Sequence, residues 1–375
     1  MAIDNKDKKI LNVPPLRFPE FSGEWEMVSL QDIATINPKS DPLQNTFIYI
    51  DLEAVEKGEL RKIQEIMREE APSRAQRVID NNDILFQCVR PYQKNNYIHR
   101  ILNTSNQQWV ASTGYAQIRT TELPNYIYHL LNTDEFNRKV MVRCTGSSYP
   151  AINSEDLATI HLYYTPDKKE QLKISRLLDL LDKRIATQNK IIEKLQSLIK
   201  GLAVALTTKE KANIAISQCL ECHSSTLQES EVLSSGLCKV FGANGLVGYK
   251  DVPQMNGDAI LVIKDGSGVG TVSYAQGKFS VIGTLNYLTV IGNNDLRYLY
   301  FALSVFNFQP YKTGMAIPHI YFKDYGKAKI YCPSLAEQKR VANVLDKLES
   351  KLFVEQELLA SFNQQKLYLL GKMFI

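Results

Sequence analysis

Four loops that mix basic, polar and aromatic residues carry the side chains best suited to binding nucleic acid. In the first half of the chain they span 90–97 (Arg-Pro-Tyr-Gln-Lys-Asn-Asn-Tyr) and 143–149 (Arg-Cys-Thr-Gly-Ser-Ser-Tyr), and in the second half 241–250 and 312–321. Arg and Lys bind phosphate groups, whereas Asn, Gln, Ser and Arg can read base edges in the major groove. One such loop is more often an ordinary surface loop, but its recurrence in both halves favours contact with DNA. The residues predicted to bind DNA are Lys39, Arg90, Tyr92, Lys94, Arg143, Ser147, Ser148, Tyr149, Asn244, Lys250, Ser267, Lys312, Thr313, His319 and Tyr321.

The segment Cys219-Leu-Glu-Cys222-His223 has the C-x-x-C-H form of c-type haem attachment. That attachment needs export, and residues 1–9 are polar and charged, without an apolar signal segment. Zinc is the other option, with Cys219, Cys222, His223 and Cys238 as ligands, but structural zinc usually takes its four ligands from two paired clusters, and the chain has no second C-x-x-C. We therefore expect a cytoplasmic protein with reduced cysteines, no metal and no cofactor.

Motifs for catalysis are missing from the sequence. The glycine-rich segment 266–270 (Gly-Ser-Gly-Val-Gly) lacks the spacing of a nucleotide-binding loop, so a tight hairpin loop is favoured, which a DNA phosphate can still approach. The segment 37–40 (Asn-Pro-Lys-Ser) lacks the second proline and the aromatic residue of an amino-methyltransferase motif. Hydrolase, zinc-protease and kinase motifs are missing too. The sequence therefore predicts a protein that is not an enzyme.

Length and charge set broad limits on the chain. Its 375 residues suffice for two or three domains. The 44 basic and 40 acidic residues leave a formal net charge of only +4, so any DNA-binding charge must be placed locally. No apolar run of about 18 residues is present, so no membrane partner is expected.

An internal repeat organises the chain. Asp167 matches Ser334 and Leu178 matches Leu345, at a constant offset of 167 residues. In both copies a proline is followed by an N-cap residue and, three residues later, by a glutamate, which is the pattern of a capping box. We therefore expect a long helix to begin at each of the two matched sites.

Both helical segments carry apolar residues at alternating intervals of four and three, the pattern of a coiled-coil seam. Roughly 40 residues give a helix of about 60 Å, longer than a small domain is wide, so each helix needs a partner. The other copy, running antiparallel, is the favoured partner. Gln188 and Glu355 interrupt the two seams at equivalent positions, and we expect them to lie close together and to fix the register. The residues predicted to form the coiled coil are Leu178, Leu181, Ile185, Gln188, Ile192, Leu345, Leu348, Leu352, Glu355 and Leu359.

The segments before the helices also repeat. Residues 145–152 match 313–320 in the pattern Thr-Gly-x-x-x-Pro-x-Ile, and Asn82-Asp83 matches Gly257-Asp258. Runs of β-branched and aromatic residues at 109–120 and 279–291 predict strands. The predicted fold class is mixed α/β (α+β), with two globular domains separated by two long antiparallel helices and related by an approximate two-fold. The predicted bounds are 1–165 and 208–332 for the domains and 166–207 and 333–375 for the helices.

Taken together, these motifs resemble the specificity subunits of Type I restriction–modification systems. The resemblance rests on the following motifs, in chain order: the opening 15–26 (Pro-Leu-Arg-Phe-Pro-Glu-Phe-Ser-Gly-Glu-Trp-Glu), 83–85 (Asp-Ile-Leu), the Thr-Gly segment 145–152, 244–249 (Asn-Gly-Leu-Val-Gly-Tyr), 266–268 (Gly-Ser-Gly) and the two Pro-x-x-x-Glu-Gln helix openings. It implies two target-recognition domains that each read one half of a split double-stranded DNA sequence. It also implies that the helices set the spacer and dock two adenine-methylating modification subunits, and through them ATP-dependent restriction subunits. S-adenosylmethionine and ATP would then belong to those partners.

Two alternatives stay open on the sequence. A coiled-coil adaptor that grips proteins would show DNA affinity with little salt dependence. A self-sufficient modifying enzyme would need the catalytic motifs that the sequence lacks.

Overall fold

A computed structural model of the chain describes residues 12–100 and 107–375. The first nine residues, on which the expectation of no signal segment depends, lie outside the described residues. The chain divides into two compact units, one formed by Met1–Thr187 with Leu359–Ile375 and the other by Gln188–Leu358. Each unit therefore contains the start of one long helix and the end of the other. The predicted domain bounds, which end each domain at its helix, stay predictions.

The first unit contains two four-stranded sheets with helices packed beside them. Its strands are β1 (Glu26–Ser29), β2 (Ala34–Ile36), β3 (Thr46–Ile50), β4 (Val55–Glu56), β5 (Glu59–Leu60), β6 (Gln64–Met67), β7 (Ala75–Val78), β8 (Ile84–Gln87), β9 (Tyr97–Ile98), β10 (Gln108–Ser112), β11 (Tyr115–Thr120) and β12 (His161–Tyr164). Its helices are α1 (Leu30–Ile33), α2 (Pro124–Leu131), α3 (Asp134–Arg143), α4 (Ser154–Ala158) and the start of α5 (Lys168–Thr207). The sheet orders are β6-β3-β10-β7 and β2-β11-β8-β9, and β1 pairs with β12.

The second unit repeats this plan. Its strands are β13 (Ile214–Ala215), β14 (Leu220–Ser224), β15 (Cys238–Gly242), β16 (Gly245–Lys250), β17 (Met255–Asn256), β18 (Ala259–Ile263), β19 (Val272–Ala275), β20 (Lys278–Val281), β21 (Leu285–Val290) and β22 (Lys329–Ile330). Its helices are α6 (Ile216–Cys219), α7 (Leu296–Ser304), α8 (Phe322–Tyr325) and the start of α9 (Leu335–Met373). The sheet orders are β16-β15-β20-β17 and β14-β21-β18-β19, and β13 pairs with β22.

The four-stranded sheets of the two units match strand for strand, including one parallel pair in each first-named sheet. β3 runs parallel to β10, and β15 runs parallel to β20, while the other pairings in these sheets are antiparallel. The predicted mixed α/β class with two repeated domains is therefore confirmed. The units also differ, because the β4–β5 hairpin and the ten-residue helix α3 of the first unit have no counterpart of that length in the second.

Antiparallel packing of the long helices is visible inside each unit. In the first, Leu178 near the start of α5 shares a hydrophobic core with Leu369 and Met373 near the end of α9. In the second, Ala203 near the end of α5 shares a core with Val341 and Leu345 near the start of α9. The seam residues named above are all buried or half-buried, as the heptad pattern predicts.

The polar interruption of the seam is a direct contact. The Gln188 Nε2 donates to the Glu355 carbonyl oxygen at 3.0 Å and also to the Glu355 carboxylate. Only 5% of Gln188 and 7% of Glu355 is exposed. The expectation that these two side chains lie together is therefore confirmed.

The helix starts are capped as predicted, but the capping boxes are not closed. Asp167 Oδ1 accepts from the Lys169 amide at 2.8 Å, and Ser334 Oγ accepts from the Glu337 amide at 3.4 Å. The glutamates have other partners, because Glu170 accepts from Arg17 Nε at 2.7 Å and Glu337 pairs with Arg340 at 2.7 Å. The reciprocal bond from each glutamate to its cap was therefore predicted wrongly.

Candidate nucleic-acid interface

The first candidate site is built on the connection between β8 and β9, residues 88–96, called loop A. It contains one 3-10 turn, Pro91–Gln93, between Arg90 and Lys94, whose φ angles are 55° and 52°. Residues other than glycine rarely adopt this left-handed conformation, and it persists where surrounding contacts hold it, often at functional sites. The side chain of Gln87 accepts from the Asn95 amide at 3.0 Å, and the side chain of Asn96 accepts from the Gln87 amide at 2.8 Å. These two buried amides hold loop A in its shape.

A tight hairpin, residues 145–151 and called hairpin A, lies against loop A. Thr145 and Ala151 exchange two backbone hydrogen bonds of 2.9 Å. The Arg90 amide donates to the Pro150 carbonyl oxygen at 2.8 Å, and the Ile152 amide donates to the Cys88 carbonyl oxygen at 3.1 Å. Gly146 has a φ of 90°, which its lack of a side chain permits. Loop A and hairpin A therefore form one continuous surface.

The second unit builds the same pair from loop B, residues 264–271, and hairpin B, residues 313–319. Thr313 and His319 exchange backbone hydrogen bonds of 2.9 and 2.8 Å. The Gly266 amide donates to the Pro318 carbonyl oxygen at 2.9 Å, and the Ile320 amide donates to the Lys264 carbonyl oxygen at 2.9 Å. The glycine-serine segment, rather than the 241–250 loop, is therefore the counterpart of loop A.

Six of the predicted residues meet at loop A and hairpin A: Arg90, Tyr92, Lys94, Ser147, Ser148 and Tyr149. The Arg90 guanidinium lies 4.4 Å from the centre of the Tyr149 ring, while Ser147 and Ser148 are exposed at the hairpin tip. A cleft of about 720 Å³ opens beside Arg90 and Tyr149. Lys94 instead turns toward the start of α3, since its ammonium lies 2.6 Å from Asp134 Oδ1.

The other two predicted residues of the first unit lie elsewhere. Arg143 Nη1 donates to the Asp156 carbonyl oxygen and to Thr159 Oγ1, each at 2.8 Å, so this nitrogen holds α3 against α4. Lys39 follows β2 and precedes Ser40, whose hydroxyl accepts from the Val78 amide of β7 at 3.2 Å. The structure does not bring these two side chains into the loop A cluster.

Five predicted residues of the second unit lie on loop B, on hairpin B or next to them: Ser267, Lys312, Thr313, His319 and Tyr321. Lys312 lines a cleft of about 400 Å³ together with Gly270, and the rings of His319 and Tyr321 are 4.9 Å apart. Asn244 is exposed in the turn between β15 and β16, and Lys250 ends β16, so both belong to the other sheet of this unit.

A sequence profile described as the Type I restriction modification DNA specificity domain matches residues 22–197 and 223–364. This chain belongs to that family. The two matched segments each cover one copy of the loop and hairpin described above, so the resemblance noted in the sequence is confirmed.

Individual relatives are distant. The chain is 24% identical over 110 residues to the Type I restriction enzyme EcoprrI specificity subunit of Escherichia coli, covering 29% of this chain and 27% of that protein. It is 23% identical over 186 residues to the HindI specificity subunit of Haemophilus influenzae, covering 48% of this chain and 37% of that protein. These alignments thus span well under half of either relative.

Solved structures share the fold over nearly the whole chain. The S subunit of a Type I restriction–modification system from M. genitalium superposes with a TM-score of 0.66 at 17% identity, over 97% of this chain and 99% of that one. A chain from a structure of type I complex assembly and conformational transition gives a TM-score of 0.57 at 20% identity, over 93% of this chain and 97% of that one.

In this specificity-domain chain the first cleft is also lined by residues that the sequence did not single out. Arg61 and Arg74 face the same opening as Arg90. Arg61 pairs with Glu59 at 3.0 Å. On the neighbouring β7, Arg77 Nε is buried without a hydrogen-bond partner in the described part of the chain, and burial lowers the pKa of Arg77. The repeated arginines at 74 and 77 were a usable sequence signal.

The Cys219–His223 segment takes part in the fold. Cys219 is buried at the end of α6, and Cys222 and His223 lie on β14. His223 stacks on Tyr287 with ring centres 4.8 Å apart, and its Nε2 lies 2.9 Å from Thr289 Oγ1. Across the described residues, no group of three or more His, Cys, Asp or Glu side chains is arranged to hold a metal. In the same part of the chain, no helix is long and apolar enough to cross a membrane.

Proposed function

We propose that this chain is the DNA-recognising specificity subunit of a Type I restriction–modification complex, and that each domain reads one half of a bipartite double-stranded target. The observation that carries the proposal is the duplicated loop and hairpin, joined by the same backbone hydrogen bonds in both units. Loop A and hairpin A offer a stacked arginine and two exposed serines, and loop B and hairpin B offer Ser267 and Lys312. These are side chains that hold phosphates and read bases.

The two long helices set the spacer between the half-sites in this proposal. Half-sites read from one face of B-DNA lie about one helical turn apart, near 34–36 Å. A helix of 40 residues is about 60 Å long, which is enough to separate two readers by that distance.

The helices also dock two modification subunits, which are adenine methyltransferases, and these bring in the ATP-dependent restriction subunits. The seam residues are buried against the chain's own helices, so outward side chains must make these contacts. Leu180 and Leu367 in the first unit and Phe353 in the second are large apolar residues that are at least 58% exposed. In this proposal the modification subunits cover these side chains, because burial of apolar surface favours association.

In this arrangement the chain itself is non-catalytic. S-adenosylmethionine and ATP are bound by the partners, and this chain needs no cofactor of its own. Its contribution to the reaction is binding and placement, because methylation occurs only where both domains find their half-sites.

Mapping methylated adenines in cells that carry the modification partner tests the proposal. With the chain, methylation should fall on one bipartite motif, and without it that methylation should vanish. Arg90→Ala and Ser148→Ala together should relax the half-site read by the first domain and leave the other unchanged, while Ser267→Ala with Lys312→Ala should do the reverse. Lys211→Ala, an exposed residue between α5 and β13 that lines neither cleft, is the control. Methylation that does not depend on the chain, or half-sites that change together in both variants, would refute the proposal.

DNA affinity distinguishes this function from that of a protein-gripping adaptor. Several phosphate contacts make the logarithm of the binding constant fall linearly with the logarithm of salt concentration, with a slope of about −0.9 per contact. The assembled complex should show such a slope, and its absence would favour the adaptor.

A further inference from the structure

Each long helix holds its own domain through a glutamine and an aspartate eight residues apart. The pairs are Gln171 with Asp179 on α5 and Gln338 with Asp346 on α9. Eight residues are about two helical turns, or 12 Å, so each pair provides two separate anchor points along one helix face. Both pairs contact the same element of their domain, which is α2 in the first unit and α7 in the second.

The first glutamine is fully buried and uses both ends of its amide. Gln171 Oε1 accepts from the Leu123 amide, the residue before α2, at 3.2 Å. Its Nε2 donates to the Thr165 carbonyl oxygen at 2.8 Å and to Glu122 Oε2 at 2.5 Å. The start of α2 is therefore tied to the start of α5.

The second glutamine repeats this arrangement. Gln338 Oε1 accepts from the amide of Asp295, the residue before α7, at 2.8 Å. Its Nε2 donates to the Pro333 carbonyl oxygen at 2.9 Å and to Asn294 Oδ1 at 3.2 Å, and the residue is 2% exposed. An amide that donates and accepts at once in a buried place fixes the geometry of both partners, because an unmade bond there is costly.

The two aspartates bind side chains of α2 and α7 themselves, and the partners differ between the units. Asp179 accepts from Asn125 and lies 2.8 Å from His129 Nε2. Asp346 accepts from Arg297 Nε at 2.6 Å. The anchoring position is therefore kept in both units although its partners differ.

The far end of each domain helix contacts the recognition loop. Past the end of α2, Asn132 Oδ1 accepts from Asn96 Nδ2 of loop A at 3.1 Å, and Lys94 reaches Asp134. Past the end of α7, Phe308 packs on Gly270 of loop B so closely that a Cβ at Gly270 would lie 2.9 Å from the Phe308 Cβ. In each unit one short helix, α2 or α7, thus lies between the anchor on the long helix and the loop that faces DNA in the proposed function.

We infer that Gln171, Gln338, Asp179 and Asp346 are positioning residues that fix the angle of each recognition loop on its helix and thereby the permitted spacer length. The inference rests on the proposed function. Spacer selection needs a stiff path from helix to loop as well as a helix of fixed length, since a domain that rocks on its anchor reaches half-sites one base pair nearer or farther.

The test replaces both glutamines by methionine, which keeps the volume and removes the hydrogen bonds. The full chain is expressed with its modification partner, and methylated adenines are mapped across the genome. Q171M with Q338M should raise methylation at sites whose spacer differs by one base pair roughly tenfold, corresponding to about 1.4 kcal/mol. The half-site sequences should stay as in the unchanged chain.

A stability-matched control separates positioning from general loosening. Val110→Ala opens the buried core between β3, β7 and β10, a cluster that contains no residue of the anchors or of their helices, and should lower Tm without altering the spacer. An unchanged spacer in the methionine variants, altered half-sites, or an equally broadened spacer in the Val110 control would each overturn the inference. If the methionine variants do not accumulate, Asp179→Asn with Asp346→Asn tests the same anchor at constant size. If the proposed function itself is wrong, the result is distinguishable, because even the unchanged chain would then direct no methylation to a bipartite motif.

Discussion

The carboxylate of Asp83 lies just before β8, which leads into loop A, and is 1% exposed. It accepts from Arg119 Nε at 2.9 Å and Nη2 at 2.7 Å, from Gln117 Nε2 at 2.6 Å and from the Asp80 amide at 2.7 Å. Asp83→Ala removes all four bonds. Breaking a buried ion pair by removing one partner costs about 3–5 kcal/mol, because the remaining charge is left buried.

The expected loss lies at the lower end of that range. The Arg119 side chain is 40% exposed and still reaches Asp80, and Gln117 Nε2 keeps its bond to the Val78 carbonyl oxygen at 3.0 Å. We therefore expect Asp83→Ala to lower the free energy of unfolding of the first unit by about 3 kcal/mol. Asp80→Ala is the matched control, because Asp80 pairs with the same arginine but is 65% exposed, and an exposed pair contributes about 1 kcal/mol or less.

Tryptophan fluorescence during urea unfolding measures this difference in the intact chain. The chain has two tryptophans, Trp25 and Trp109, and both lie in the first unit, so the signal reports on that unit alone. Equal losses for Asp83→Ala and Asp80→Ala would show that burial does not govern this ion pair and would refute the reasoning. A large loss for Asp83→Ala with no loss in the control would support it.

Three further predictions concern the seam, the buried histidine and a hairpin glycine. Replacing Gln188 and Glu355 together by leucine should leave the helices paired but allow them to slide, which disulfide trapping between engineered cysteines on α5 and α9 would detect as a second register. Burial lowers the pKa of His99 to about 4, so the folded state disfavours protonation, and stability should fall by up to about 3 kcal/mol as pH drops from about 6.5 to 4; His99→Phe should flatten that fall in urea titrations across pH. Gly146→Ala should cost about 1 kcal/mol or more because φ is 90° there, and methylation mapping should show the first half-site weakened and the second intact.

Each of these has a result that would contradict it. A single trapped register in the leucine pair would show that apolar packing alone sets the alignment. A pH profile that is the same with phenylalanine at position 99 would assign the acid sensitivity to other groups. An unaffected first half-site with Gly146→Ala would remove hairpin A from the reading surface, for which Gly314→Ala in hairpin B is the matched comparison.

The helices and the hairpins were predictable because their signals are local. The heptad spacing marks α5 and α9 directly, and the Thr-Gly-x-x-x-Pro-x-Ile pattern marks two hairpins with the same hydrogen bonds. The predicted match of Asp83 with Asp258 was wrong by one residue. The strand pairings make Ile84 equivalent to Ile260, so the position equivalent to Asp83 is Ala259. Asp83 is buried, whereas Asp258 is exposed and accepts from the Tyr274 hydroxyl.

The counterpart of loop A could not be found from the sequence, because loops A and B differ in length and in composition. The two loops are equivalent because each makes the same backbone hydrogen bonds to its hairpin. Nearly every residue type has a backbone amide and a carbonyl group, so the sequence does not reveal such bonds. The left-handed backbone at Arg90 and Lys94 is hidden for the same reason, since neither residue type indicates it. The anchor was partly visible in the sequence, because a Glu-Gln pair repeats at the start of each long helix. Only the structure shows that Gln338 is buried against the domain, whereas Glu337 pairs with the exposed Arg340.

The loops are held by backbone hydrogen bonds, whereas the hairpin tips present exposed side chains, so the two can be altered separately by mutation. The bonds that join loop A to hairpin A and loop B to hairpin B are all between backbone groups, and the anchors lie at the opposite ends of α2 and α7. The Ser147 and Ser148 side chains and those at 315–317 therefore lie outside both sets of hydrogen bonds and are exposed at the hairpin tips, whereas the Tyr149 ring packs on the Arg90 guanidinium. Substitutions there can change what is read without changing where the reader is held. Under the proposed function, the hydrogen bonds that hold the loops are thus made by other groups than most of the side chains that read DNA, which suits one repeated fold that reads two different half-sites.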